Sequence, residues 1–236
     1  MADDYDFLYK VVLIGDPGVG KSNLLLRYVS NDFAHQSKTT IGVEFSSKMI
    51  TTEDDLTIKA QIWDTAGEEK FKAVSKVYYR NAVGALLIYD ITSRPSFENV
   101  EGWLEKLREN AASDLVVLLV GNKTDLEDQR EVSTQEGTQL AQKHELAFLE
   151  TSALDANNVD MAFSTIINCK YKSIILIKLC VEIYKEMKKS MGPQQEEAKN
   201  EFDNNGKAEQ DRLEARTGSV SLKRNSIAKG KKKFKC

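Results

Sequence analysis

Cysteine is scarce in this 236-residue chain: Cys169, Cys180 and Cys236 all lie in the last third, so no disulfide framework can staple the remainder. No apolar run reaches the ~18 residues that a membrane-spanning helix needs. The opening MADDYDFLYK is acidic, unlike a secretory signal, and no segment repeats. Collagen, disulfide mini-protein, integral membrane and secreted-scaffold classes are therefore excluded, and a cytosolic globular domain is expected. Hydrophobic residues at 41% and charged residues at 29% supply a sizeable packed core. At ~150 residues per domain the length allows one full domain with chain to spare.

Acid is missing from the end of the chain. Residues 219–236 hold seven basic residues, Lys223, Arg224, Lys229, Lys231, Lys232, Lys233 and Lys235, and no Asp or Glu. The formal net charge of −3 thus leaves −10 on the rest. Such a body argues against a nucleic-acid partner, and the basic end points to an anionic one.

Between residues 8 and 150, β-rich runs alternate with helical patterns. Strands are expected over 9–14, 42–51, 56–64, 84–89, 115–120 and 147–149, with a polar turn at 53–55. Helices are expected over 21–30, 96–111 and 134–144. This alternation predicts an α/β fold around a largely parallel sheet. From about Ser190 the chain is polar and cannot offset the entropy of its own ordering, so residues 191–236 read as a flexible tether.

The first strand runs into Gly15-Asp16-Pro17-Gly18-Val19-Gly20-Lys21-Ser22, which fits G-x-x-x-x-G-K-[ST] between a strand and a helix. Glycines let the backbone wrap tightly and aim N–H groups at phosphate oxygens, while the helix N-terminus adds positive potential. Lys21 can reach the outer phosphates, and the Ser22 hydroxyl can ligate Mg²⁺.

Downstream, Asn122-Lys123-Thr124-Asp125 follows a strand, where an α/β sheet places its ligand crevice. A fixed carboxylate at Asp125 can accept two N–H groups from one edge of guanine, a pair that adenine lacks. Trp63-Asp64-Thr65-Ala66-Gly67 ends another strand. Asp64 there can hold Mg²⁺, and the Gly67 N–H can approach a terminal phosphate. Thr40 offers a further hydroxyl to the metal, and Ser152-Ala153 offers backbone N–H groups to the base. Singly, Thr40 and Ser152 are ordinary turn residues.

In this order, GDPGVGKS, TIGVEF, WDTAG, GNKTD and ETSA resemble the small Ras-like GTPases. TIGVEF and YYR resemble the Rab family, and SNLLLRY, IKAQIWDTAG and VGALLIYDIT its recycling-endosome branch. The resemblance covers about residues 5–168 and 182–190. It implies a P-loop NTPase of α/β class, a Ras-like G domain over 1–190 with a mostly parallel six-stranded sheet flanked by helices, then a hypervariable tail over 191–236. It implies GTP/GDP and Mg²⁺ as cofactors, with Gly15, Asp16, Gly18, Val19, Gly20, Lys21, Ser22, Asn23, Thr40, Gly67, Asn122, Lys123, Asp125, Ser152 and Ala153 around the nucleotide. Ser22, Thr40 and Asp64 would serve the metal. It implies a switch in vesicle trafficking, in which the γ-phosphate holds the loops at Thr40 and Gly67 until hydrolysis releases them. Phe45, Trp63 and Tyr78 would present that state to effectors, although strand spacing fits core packing equally well. The partners implied are an exchange factor, a GTPase-activating protein, effectors and a GDP-dissociation inhibitor. The location implied is cytoplasmic, reversibly on the cytosolic face of endomembranes.

Four features depart from the family pattern. Glu68 stands where the family has a water-positioning glutamine, which gives Glu68 and Lys21 as the catalytic residues; its charge beside the γ-phosphate predicts slowed turnover, whereas accepting a proton from the water would leave Glu68 a working substitute. Pro17 has no N–H to give to a phosphate. Residues 169–181, CKYKSIILIKLCV, interrupt an otherwise plausible final helix, rotate its downstream face by about 220° and read as an insertion or gene-model artefact damaging to folding. Finally, Cys236 is the single terminal cysteine where Rab proteins have two near the end. One prenyl group there plus the basic stretch is sufficient for reversible anchoring to an anionic leaflet. The rival readings are a GTP-binding scaffold with little turnover, motivated by Glu68 and Pro17, and a P-loop kinase, which N-K-x-D disfavours.

Overall fold

The structure, a computed structural model, describes residues 4–35, 40, 43–65 and 78–190. Gly67, Glu68 and Cys236, and with them the tether, lie outside the described residues. Six strands, β1 (Phe7–Ile14), β2 (Val43–Thr51), β3 (Thr57–Thr65), β4 (Ala82–Asp90), β5 (Val116–Asn122) and β6 (Ala147–Thr151), form one sheet in the order β2-β3-β1-β4-β5-β6. The β2–β3 pair is antiparallel and the other four pairs are parallel. The α/β class and the six-stranded, mostly parallel sheet are as expected.

Side chains of β1 alternate between two cores. Val11 and Leu13 pack with Leu24 and Tyr28 of α1 (Lys21–Ser30) and with Phe163 and Ile166 of α5 (Val159–Ser190). Val12 and Ile14 pack on the other side with Leu104 and Leu107 of α3 (Val100–Asn110) and Ala141 of α4 (Thr134–Lys143). Covering both faces explains why the central strands read as unbroken apolar runs. The order of strands reverses around β1, so the carboxyl ends of β1 and its neighbours open onto one crevice.

The helix expected over 96–111 is two helices, α2 (Arg94–Glu98) and α3, divided at Asn99. Pro95 sets the first turn of α2, and the buried Ser96 hydroxyl accepts from the Asp90 amide at 3.0 Å and donates to the Ser93 carbonyl at 2.8 Å. These bonds tie α2 to the end of β4 as a separate turn. Strand β1 starts two residues early, at Phe7, because β3 offers pairing partners: Phe7 meets Ile58 and Leu8 meets Lys59.

Met1–Ile177 forms one compact unit and Lys178–Cys236 a second. Residues 169–181 are helical within the 32-residue α5. Their first half completes the core of the first unit. The buried Tyr171 ring lies 5.9 Å from that of Phe7, its hydroxyl donates to Asp54 Oδ2 at 2.7 Å, and Ile174 packs against the same cluster. The segment thus brings its own tyrosine and its own aliphatic residue to that core in helical register. In the second unit Leu179, Val181, Ile183 and Tyr184 are exposed.

Removing the 13 residues would bring Tyr184 to position 171 and Met187 to position 174. A chain lacking residues 169–181 should accordingly melt within a few degrees of the full chain. Asp54→Ala should destabilise both forms alike, by about 1 kcal/mol for one lost hydrogen bond. Circular dichroism melts would check this, and destabilisation confined to the full chain would show that Tyr184 does not take the vacated place.

Candidate functional site

The crevice is built from strand ends. Ile14 leads into the glycine-rich loop, Asp64 is the last residue but one of β3, Asp90 closes β4, Asn122 closes β5 and Thr151 closes β6. Asp90, Asn122 and Thr151 stand side by side in register across three strands. The resulting cleft, of about 310 Å³, is lined by loop residues Gly18, Gly20, Lys21 and Ser22 on one side and by Asn122, Lys123, Asp125 and Ala153 on the other.

Lys21 is only 6% exposed. Its ammonium donates to the carbonyls of Gly15 at 2.9 Å and Asp16 at 2.8 Å. Burial lowers its pKa to about 8, against the opposing pull of Asp64 and Asp16. Two glycines make this closed loop feasible. A side chain at Gly15 would run into the Ile88 carbonyl, and one at Gly20 (φ 98°) into the Asn122 amide nitrogen. Helix α1 begins directly after Gly20 with no side-chain cap, so its first amides stay available to an anion.

Ser22, Thr40 and Asp64 meet although they come from three different segments. The Ser22 hydroxyl donates to Asp64 Oδ2 at 2.5 Å and lies 2.8 Å from Thr40 Oγ1, which is itself 3.4 Å from Oδ2. Asp64 Oδ1 is buried and has no partner among the described residues. Burial raises the Asp64 pKa, outweighing the hydrogen bond from Ser22 and the charge of Lys21. Three side chains with hard oxygen donors, one a carboxylate whose second oxygen has no partner among the described residues, fit a small divalent cation such as Mg²⁺.

At the other end of the cleft the Ser152 hydroxyl donates to Asp125 Oδ1 at 2.6 Å. The Ser152 amide, expected to face a base, donates to the Asn157 carbonyl at 3.1 Å, and it is the hydroxyl that faces Asp125. Ala153 is buried in the lining. Asn122, 1% exposed, is a strut: its Nδ2 donates to the Val19 carbonyl at 2.9 Å and its Oδ1 accepts from Thr151 at 3.0 Å. Lys123 pairs with Asp90 at 2.6 Å. The Asp16 carboxylate is turned to Asn99 and Trp103, and its carbonyl faces Lys21.

Phe33, His35, Thr65, Leu126 and Leu154 also line the cleft and were not singled out from the sequence. Phe33 is placed by Asn23, whose amide group accepts from the Ala34 N–H at 3.0 Å and donates to the Ala34 carbonyl at 3.2 Å. The sole local signal was an aromatic residue after the Asn31-Asp32 turn. Away from the cleft, Phe45 and Trp63 are cross-strand partners with ring centroids 5.5 Å apart, and Tyr78 lies 6.4 Å from Trp63. Phe45 is 51% exposed, which rules out core packing for that ring.

Asn122→Ala would strand two buried groups, the Val19 carbonyl and the Thr151 hydroxyl. Unfolding in urea should show a loss of about 3 kcal/mol, at 1–3 kcal/mol for each unsatisfied partner. A loss below about 0.5 kcal/mol would mean that the strut is not what joins the two loops.

The model of the Ras family matches residues 10–172. The chain is 54% identical over 169 residues to Ras-related protein Rab-11A of Dictyostelium discoideum, covering 72% of this chain and 78% of that protein. Against Ras-related protein rab-11.1 of Caenorhabditis elegans the identity is 55% over 172 residues, 73% of this chain and 81% of the relative. Against GTP-binding protein ypt3 of Schizosaccharomyces pombe (strain 972 / ATCC 24843) it is 57% over 165 residues, 70% and 77%. A lysine-anchored phosphate loop and an Asn-Lys-x-Asp loop joined across one crevice are thus found in a chain that belongs to the Ras family, among its Rab GTPases.

Proposed function

We propose that this chain is a GTP-driven switch that recruits effectors to endomembranes in vesicle traffic. The observation carrying this reading is the convergence of Ser22, Thr40 and Asp64 beside Lys21, at one end of a cleft whose other end holds Asp125 braced by Ser152. In this reading Lys21 and the loop amides of Gly18, Val19 and Gly20 hold the polyphosphate, and Asp125 selects guanine. Bound Mg²⁺ would neutralise charge on the outer phosphates. Water attacks the γ-phosphorus, the bond to the β-γ bridging oxygen breaks, and GDP leaves with that electron pair. Glu68 takes the water-positioning place. Phe45, Trp63 and Tyr78 form the effector surface. The basic end and a prenyl group on Cys236 supply the anchor, since no described helix is long and apolar enough to cross a membrane. Exchange, activating and GDP-dissociation-inhibiting proteins are the partners that this cycle requires. Residues 169–181 are read as an insertion into the last helix.

Protein purified without added nucleotide should carry GDP or GTP in about equal molar amount and no adenine nucleotide; bound ATP would overturn the guanine assignment. Chelating Mg²⁺ with EDTA should speed GDP release by at least about tenfold if the Ser22–Thr40–Asp64 cluster holds the cation. A release rate indifferent to EDTA would remove the cluster's role. In single-turnover hydrolysis, Glu68→Gln should be faster by roughly tenfold, or 1.4 kcal/mol in barrier. Equal rates would make Glu68 a working substitute and end the low-turnover scaffold reading.

A further inference from the structure

Asp16 is the one acidic residue inside the phosphate loop. Both of its carboxylate oxygens are engaged: Oδ1 accepts from Trp103 Nε1 at 2.7 Å and Oδ2 from Asn99 Nδ2 at 2.7 Å. Asn99 is the residue before α3 and Trp103 lies four positions on, so both donors sit on one side of that helix. The Lys106 ammonium lies 4.7 Å from the centre of the Trp103 ring and helps fix the indole. On the loop side, the Asp16 carbonyl accepts from Lys21 at 2.8 Å. Asp16 is therefore held at both ends, by the buried lysine through its backbone and by α3 through its side chain.

We propose that Asn99 and Trp103 are positioning residues that hold the Asp16 carboxylate away from the phosphates of the bound nucleotide and so lengthen the lifetime of the complex. This rests on the guanine-nucleotide reading above. A loop that binds several negative charges does so through N–H groups and one ammonium, and a carboxylate swinging inward would oppose that field at short range. The clamp gives the carboxylate two charge-assisted hydrogen bonds in the outward position, which an inward position would forfeit. Harm from breaking the clamp comes from the freed negative charge, so removing the charge itself should be milder than removing what holds it.

The test is the dissociation rate of mant-GDP from the full-length protein in Mg²⁺ and excess unlabelled GDP. Trp103→Phe and Asn99→Ala should each speed release by about tenfold, for loss of one hydrogen bond to a charged group. Asp16→Ala should speed it less. Combining Asp16→Ala or Asp16→Asn with Trp103→Phe should return the rate to that of the Asp16 variant alone, an outcome that a packing role for Trp103 does not give. Asn99 is exposed, so Asn99→Ala keeps the test available if Trp103→Phe folds poorly. The chain has two tryptophans, and the indole N–H resonance of Trp103 should shift in Asp16→Ala. Single variants that release at the wild-type rate, or a Trp103→Phe effect that persists in the Asp16→Ala background, would overturn the proposal. Unaltered protein unable to hold mant-GDP would instead show that the guanine-nucleotide reading had failed, and the clamp would fall with it.

Discussion

A buried ammonium needs oxygen on several sides, and Lys21 obtains it by drawing the Gly15 and Asp16 carbonyls inward. That demand shapes the site. Carbonyls turned to the lysine leave the loop amides free for an anion. The tight path permits no side chain at Gly15, where the Ile88 carbonyl stands, or at Gly20, where the Asn122 amide stands. Burial lowers the lysine pKa to about 8, and a polyphosphate at the loop would favour its charged form. The sheet supplies the rigid frame: Leu13 and Asp64 are register partners on β1 and β3, which sets the distance between lysine loop and carboxylate.

What could be read from the sequence is what is contiguous. The phosphate loop, the Asn-Lys-x-Asp loop and the strand-end aspartate each carry their chemistry within a few residues, and their strand and helix context follows from apolar periodicity. What could not be read depends on partners far along the chain. The direction of the Asp16 carboxylate is decided by Asn99 and Trp103, more than 80 residues away. The Ser152 amide is taken by a local turn to Asn157. Phe33 reaches the cleft only because Asn23 pins its neighbour. Strand ends shifted by a residue or two for the same reason, since pairing partners and not propensity decide where a ladder stops.

The last helix shows how periodicity can mislead when it is judged from one side. Thirteen residues equal neither a whole number of turns nor a heptad multiple, which implied a core face broken by the insertion. The core asks only for an aromatic residue eight positions after Phe163 and an aliphatic one three further on. Tyr171 and Ile174 satisfy it from within the segment, and Tyr184 and Met187 would satisfy it without the segment. The fold therefore constrains two positions there, not the identity of a whole helix.

Switching follows from how unevenly the metal cluster is supported. Asp64 is fixed in a central strand and Ser22 in the first turn of a helix, both backed by the core. Thr40 belongs to neither kind of element, and its hydroxyl reaches the cluster through Ser22 at 2.8 Å and Asp64 at only 3.4 Å. The second of these contacts is long for a hydrogen bond between oxygens. A cation pulling on the same three oxygens, with a γ-phosphate beside it, would add stabilisation that only the triphosphate state offers, and a ligand shifts an equilibrium by no more than that difference. The segment carrying Thr40 leads directly into β2, and Phe45 on β2 is paired with Trp63 one residue before Asp64. Asp64 of the cluster and the Phe45–Trp63 pair thus share the β2–β3 ladder. On the proposed reading, a change at the phosphate reaches the effector face within a few residues of chain and needs no longer route.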